Sequence, residues 1–188
     1  MSRLRLISPD NPAAAPLLVG LRREYHDLYG PEAAADLDRY SPLEFLPPAG
    51  AFVILEDDGA TVAGGALRRL GPGVGEIKRM WTAPAQRGRG HARRVLVALE
   101  EAAVRRGYHT LRLETGDRLT AAIALYRSAG YQPIAGYGPW GADPRALSFE
   151  KRLDARDHLA AHELDRGEIL VRKMLEHHSF HARLREVA

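Results

Sequence analysis

The stretch that decides the fold is Arg87-Gly88-Arg89-Gly90-His91-Ala92, which lies between a predicted strand and a predicted helix. Two glycines separated by one residue let the backbone turn tightly and bring its N–H groups close to a ligand. The helix that begins just after them adds the positive end of its dipole. This combination predicts an anion site, and we expect the anion to be a phosphate or a pyrophosphate.

Working outward from the loop, the hydrophobic periodicity switches between the periods of strands and helices. Strands are predicted at 3–7, 51–56, 61–70, 75–82, 109–114, 131–134 and 146–151, and helices at 12–29, 33–39, from the loop to 106, and 119–129. Gly107 is expected to end the long helix in the left-handed conformation. This order predicts an α/β (α+β) domain with a mixed sheet whose central strand leads into the anion loop.

The length and composition favour one globular domain with an appendage. Of the 188 residues, 45% are hydrophobic, which is enough for a core. We assign residues 1–154 to the domain and 155–188 to an amphipathic helical extension, expected to pack on the domain or on a second subunit. A homodimer is therefore left open. His158 and His162 lie one helical turn apart in the extension, but without a third ligand they indicate a solvated helix face rather than a metal site.

The same composition excludes several function classes. The sequence contains no cysteine, so a thiolate nucleophile, a disulfide and a cysteine-bound metal are all excluded. The net charge of +3 is modest, and we expect no nucleic-acid partner. No segment approaches the roughly 20 apolar residues of a membrane span, and the N-terminal residues lack the pattern of a signal peptide. A cytoplasmic protein without a membrane partner is expected.

The two common nucleotide motifs do not fit the loop. A P-loop requires G-x-x-x-x-G-K-[ST], which is absent from the sequence. The dinucleotide fingerprint G-x-G-x-x-G would need glycine where Arg93 stands, and it belongs in the first unit of a parallel sheet. Here three strands joined by hairpins precede the loop, so another phosphate ligand is expected.

Three signatures, in the same order and spacing, resemble the GNAT superfamily of acyl-CoA-dependent N-acyltransferases. The loop 87–92 is similar to that family's [Q/R]-x-x-G-x-[G/A] motif. Residues 76–84 resemble its central strand and the proline that follows. Residues 122–131 resemble its A-x-x-L-Y-x-x-x-G-[F/Y] element. The resemblance implies a GNAT fold, with a twisted, mostly antiparallel sheet flanked by helices and two central strands that splay apart.

The resemblance also implies acetyl-CoA as the cosubstrate, with no metal. The pyrophosphate of coenzyme A is expected on the loop amides, and the amide-rich pantetheine arm on the open edge of the central strand, in the manner of an added strand. The residues expected to bind the cofactor are Met80, Trp81, Thr82, Arg87, Gly88, Arg89, Gly90, His91 and Ala92.

Two catalytic residues follow from the same resemblance. Tyr126 matches the tyrosine that serves as general acid in many relatives, where a phenol can protonate the departing thiolate. Glu76 matches a position where some relatives place a general base, which an amine acceptor needs because its pKa is about 10.4. The alternative for Glu76 is a salt-bridged strand residue, and Glu114 on the next strand is a second candidate base.

The expected activity is transfer of an acetyl group from acetyl-CoA to a primary amine of a small molecule, by direct attack in a ternary complex. The aromatic loop that holds Tyr137 and Trp140 corresponds to a region that often borders the acceptor pocket in the family. Two other functions stay open. One is acylation of a macromolecule, such as a protein N-terminus, a lysine or an aminoacyl-tRNA. The other is a module that binds acyl-CoA without catalysis.

Overall fold

The computed structural model describes residues 2–153, and these form one seven-stranded sheet with helices on both faces. The strands are β1 (Arg3–Leu6), β2 (Ala51–Asp57), β3 (Ala60–Gly71), β4 (Val74–Thr82), β5 (Thr110–Gly116), β6 (Gln132–Ile134) and β7 (Ala146–Arg152). The helices are α1 (Ala15–Tyr29), α2 (Pro31–Ala35), α3 (His91–Arg105) and α4 (Thr120–Ser128). The predicted extension 155–188, with His158 and His162, lies outside the described residues.

The strand order across the sheet is β1-β2-β3-β4-β5-β7-β6. Every neighbouring pair is antiparallel except β4 and β5, which run in parallel because α3 connects them. The predicted mixed, mostly antiparallel sheet is therefore confirmed. The parallel pair lies at the centre of the sheet; β4 precedes the loop 87–92, and β5 follows α3.

The sheet separates two hydrophobic cores, as alternation along β2 shows. Val53 and Leu55 belong to the core beneath α3, whereas Phe52 and Ile54 belong to the core beneath α1. All four side chains are fully buried, which is why this strand reads as an unbroken apolar run. The predicted apolar face of α3 is buried in the first core, including Val95, Leu96, Leu99 and Ala103.

The second helix begins earlier and is shorter than predicted. The sequence pattern indicated 33–39, but α2 spans Pro31–Ala35 and a 3-10 turn, Asp36–Asp38, follows it. Pro31 fits the first position of a helix because its missing N–H would have no partner there. Among the described residues, no helix combines the length and the apolar character needed to cross a membrane.

Candidate active site

The central strands β4 and β5 separate part-way along their length. They pair only from Val74 and Thr110 to Ile77 and Leu113. Beyond that point β4 continues beside β3 while β5 continues beside β7. Residues 78–82 therefore have no strand partner on the β5 side within the described chain, and a cavity of about 650 Å³ lies along this edge. The predicted splay of the two central strands is confirmed.

A β-bulge in β4 lies where the strands part. The register between β3 and β4 shifts there, and Arg79 adopts a positive φ of 57°. This conformation is strained for a residue with a side chain. The Arg79 guanidinium donates to the carbonyl of Leu37 at 2.7 Å and lies 4.1 Å from the Phe45 ring centroid. A bulge bends its strand, so these contacts hold the cavity wall in its bent form.

The loop before α3 closes one end of the cavity. Gly88 and Gly90 have φ values of 76° and 78°, and a Cβ atom at either position would have no neighbour within 4 Å. Gly90 is the N-cap of α3 and supplies no side-chain hydrogen bond to the first turn. The N–H groups at this helix start are therefore left for a ligand, and with the helix dipole they fit an anion.

Eight of the nine predicted cofactor-binding residues line this cavity; the ninth, Arg89, is exposed and lies outside its lining. Arg87 is already paired with other groups of the protein. Its guanidinium lies 2.9 Å from both carboxylate oxygens of Glu24 and donates to the carbonyl of Thr82 at 3.2 Å. Trp81 is buried against α1 in the second core, so only its backbone belongs to the open edge of β4.

Three polar side chains in the wall near the loop are buried without a hydrogen-bond partner among the described residues. They are Thr82 through its hydroxyl, Gln86 through its amide oxygen, and His91 through both ring nitrogens. All three line the cavity. Buried polar groups are normally satisfied by hydrogen bonds, so this end of the cavity fits a polar ligand better than an apolar one.

Tyr126 lies on α4 with 4% of its surface exposed, and it lines the cavity. Its ring packs edge-on against Tyr131, with centroids 5.8 Å apart. Burial raises the pKa of the Tyr126 phenol above its ordinary value of 10, and the nearby Tyr25 raises it further. The phenol therefore keeps its proton at neutral pH and is able to donate it.

Glu76 lies on β4 but outside the lining of the cavity, with 1% of its surface exposed. Its carboxylate accepts from Arg68 Nε at 2.6 Å and from the Tyr137 hydroxyl at 3.0 Å. Lys78 Nζ lies 3.2 Å from it. These contacts correspond to the salt-bridged alternative for Glu76, because three donors already surround its carboxylate.

Glu114 lines the cavity from β5. One carboxylate oxygen lies 3.4 Å from Lys78 Nζ, and the other is buried without a hydrogen-bond partner among the described residues. Burial raises the pKa of this carboxyl group; Lys78 opposes the shift, and Glu76 adds to it. Although burial lowers the pKa of Lys78, the carboxylates of Glu76 and Glu114 outweigh this effect and raise it, so Lys78 stays charged.

The far end of the cavity carries aromatic side chains, most of which sequence reasoning missed. They are Tyr25, Tyr29, Tyr40 and Trp140. Only Trp140 was noted from the sequence, as part of a loop near the acceptor pocket. Burial raises the pKa of Tyr25 to about 12. The spacing of Tyr25 and Tyr29 by four residues on α1 was a usable signal, because such residues share one helix face.

Two hydrogen bonds connect the walls of this far end. The Trp140 indole N–H donates to Asp36 at 2.9 Å. The backbone N–H of Arg118 donates to the Tyr29 hydroxyl at 2.8 Å. Parts of the chain that are more than 80 residues apart in sequence therefore form walls of the same cavity.

The family model described as "Acetyltransferase (GNAT) family" matches residues 17–131 of this chain. The chain is also 36% identical over 147 residues to an "IAA acetyltransferase" from Azospirillum brasilense, covering 78% of this chain and 94% of that protein. Residues 17–131, which the family model matches, include β4, β5, the loop 87–92 and Tyr126.

Solved structures are also similar to this chain. An acyl-CoA N-acyltransferase structure from Klebsiella pneumoniae is 32% identical, has a TM-score of 0.69, and covers 82% of this chain and 99% of its own. A Salmonella typhimurium acetyltransferase, yncA, solved with acetyl-CoA, has a TM-score of 0.62 at 18% identity and covers 82% of this chain and 95% of its own. That second likeness concerns the fold alone. Together with the family match, these findings show that the chain belongs to the GNAT family of acetyltransferases.

Proposed function

We propose that the protein transfers an acetyl group from acetyl-CoA to a primary amine of a small molecule, by direct attack in a ternary complex. The observation that carries the proposal is the single cavity between β4 and β5. The start of α3, which has no side-chain cap, lines this cavity together with Tyr126 and Glu114. This lining supports binding of an anionic cosubstrate at the loop and proton transfer by Tyr126 and Glu114.

The residues present fit coenzyme A. The amides of the loop 88–92 would hold the pyrophosphate, and the open backbone edge of Met80–Thr82 would pair with the pantetheine arm. When bound, acetyl-CoA would supply an activated acetyl thioester. The proposed cofactor contacts are made by backbone rather than by the arginines, because Arg87 is paired with Glu24 and Arg89 lies outside the cavity.

Glu114 is proposed as the general base and Tyr126 as the general acid. Glu114 takes one proton from the acceptor ammonium, so that the neutral nitrogen can form the new C–N bond. Tyr126 gives its proton to the sulfur as the C–S bond breaks, and regains one from the amide nitrogen. The net products are an acetamide, free coenzyme A and one proton. The contacts favour Glu114 over Glu76, whose carboxylate already serves three donors.

Turnover with acetyl-CoA tests the proposal, with a panel of amines, amino acids, aminoglycosides and peptides as acceptors and released thiol as the signal. We expect thiol release with at least one small amine, and initial-rate lines that intersect when both substrates are varied. Parallel lines would indicate a covalent acetyl-enzyme and refute direct attack. Coenzyme A binding without turnover on any acceptor would favour the non-catalytic module. Activity confined to peptides, or salt-dependent retention of tRNA, would favour a macromolecular acceptor.

A further inference from the structure

Five ionisable side chains form an alternating chain that runs from the surface to the cavity. Arg68 lies 2.8 Å from Glu44 and 2.6 Å from Glu76, and Lys78 lies 3.2 Å from Glu76 and 3.4 Å from Glu114. The Glu44 side chain is 39% exposed, whereas that of Glu114 is only 6% exposed. Three carboxylates against two cations leave one negative charge in excess.

The chain of five ionisable side chains ends in the cavity at a carboxylate oxygen that accepts no hydrogen bond from the described residues. Oε1 of Glu114 is buried and has no hydrogen-bond partner among the described residues. A buried charged oxygen without a donor is costly. A ligand that brings a positively charged donor to this atom would remove that cost, and a ligand that brings a negative charge would increase it.

The cations near Glu114 are already engaged. Lys78 lies between two carboxylates. Arg79 donates to a backbone carbonyl and stacks on Phe45. At the rim, Arg145 holds both oxygens of Asp143, and Arg118 donates to a carbonyl on α1. Each of these cations thus already has an acidic, carbonyl or aromatic partner, whereas Oε1 of Glu114 has no donor among residues 2–153.

Four aromatic side chains line the same cavity as this carboxylate. Tyr25 and Tyr29 come from α1, Tyr40 from the segment after α2, and Trp140 from the loop between β6 and β7. Ring faces from separate segments bind flat apolar groups and organic cations well.

We propose that the acceptor is an arylalkylamine-type molecule: a primary ammonium on a flat apolar body, without a carboxylate or phosphate of its own. The inference rests on the proposed acetyl transfer and specifies its substrate. The ammonium donates to the free oxygen of Glu114, and the flat body lies against the aromatic side chains. A carboxylate beside the amine would have to lie close to Glu114 with no cation to receive it.

Matched acceptor pairs test this specificity. Phenethylamine and phenylalanine, tyramine and tyrosine, and tryptamine and tryptophan share ring and amine and differ by one carboxylate. We expect kcat/KM to be about 100-fold higher for each amine than for its amino acid, as desolvating an unpaired charge is costly. Titration calorimetry with coenzyme A present should give the same order of affinities. Equal or better use of the amino acids, or of spermidine and kanamycin, would overturn the proposal while leaving acetyl transfer intact. No thiol release with any acceptor would instead refute the proposed function.

The Trp140→Leu variant separates an aromatic contact from a structural role. We expect kcat/KM for tryptamine to fall about tenfold more than kcat/KM for butylamine, because only the first can stack on the indole. Thermal unfolding of the variant reports any loss of the hydrogen bond to Asp36. An equal fall for both amines would refute the aromatic part of the proposal.

Discussion

Burial acts on Tyr126 and Glu114 in the same direction, because it raises the pKa of both side chains. It raises the pKa of the Tyr126 phenol, so the acid is fully protonated before it is used. It also raises the pKa of the Glu114 carboxyl group, so the base holds a proton more strongly than an exposed glutamate does. The same buried surroundings therefore make Glu114 a stronger base and keep Tyr126 protonated at neutral pH.

Replacing Tyr126 with phenylalanine removes the proposed proton donor and keeps the ring. We expect kcat to fall about 100-fold, since general acid catalysis contributes about 10²–10⁴ in rate. The dissociation constant of acetyl-CoA should change little, because the proposed cofactor contacts come from the loop and from β4. Steady-state kinetics and titration calorimetry measure the two quantities.

Tyr131→Phe provides the matched control. Tyr131 packs against Tyr126 but lies outside the lining of the cavity, so its variant alters the same aromatic cluster without touching the site. Its kcat should stay near the wild-type value. If Tyr126→Phe turns over as fast as this control, Tyr126 is not the acid.

The two candidate bases are distinguished by the pH dependence of kcat in Glu114→Gln and Glu76→Gln. A carboxylate base works only when deprotonated, so wild-type kcat should fall as pH drops through the raised pKa of Glu114. Glu114→Gln should lose this acid limb, and its rate should rise with pH toward the amine pKa of about 10.4. Glu76→Gln should keep the limb and lower the free energy of unfolding by about 3 kcal/mol, because two cations lose a buried partner.

The opposite pattern would reverse the assignment. If Glu76→Gln loses the acid limb and Glu114→Gln keeps it, the base is Glu76. The stability measurement by urea unfolding is independent of activity, so it separates a weakened ion chain from a lost base.

At the scale of elements, α3 is bounded by two glycines with nearly the same backbone conformation. Gly90 at its start has φ 78° and Gly107 just past its end has φ 77°, and a Cβ at either position would meet nothing within 4 Å. The sequence predicted both, one as part of the anion loop and the other as a helix terminator. Only the first lies in the cavity.

Gly90→Val and Gly107→Val therefore form a matched pair. Each should lower the free energy of unfolding by about 1–2 kcal/mol, the cost of the left-handed conformation for a residue with a Cβ. Only Gly90→Val should weaken coenzyme A binding, by at least about tenfold, as it crowds the amides at the helix start. Calorimetric titration and urea unfolding provide the two values. Equal weakening of binding by both variants would refute the loop as the pyrophosphate site.

At the scale of the whole molecule, the strands were predicted within one or two residues, because their periodicity and turns are local signals. The boundaries of α2 were predicted less well, because a short helix beside a 3-10 turn has too few residues to show a clear hydrophobic period. Glu76 shows why side-chain contacts are harder to predict from sequence than strand boundaries. Its register places it opposite Arg68 on β3, and this pairing, rather than its own sequence neighbours, makes it a salt-bridged residue.

The contiguous residues of the chain were enough to assign the family and the order of elements, because their spacing is visible in the sequence. The anion loop and the role of Tyr126 were predicted from the same local patterns, and both stay predictions. Only the tertiary structure decided which carboxylate faces the cavity and what surrounds it. Glu114 and Lys78 lie on strands that have just separated, and the aromatic side chains come from α1, from the segment after α2 and from the loop before β7. The physical reason is that burial, charge pairing and access to the cavity depend on neighbours in space, which strand register and packing choose after the local elements have formed.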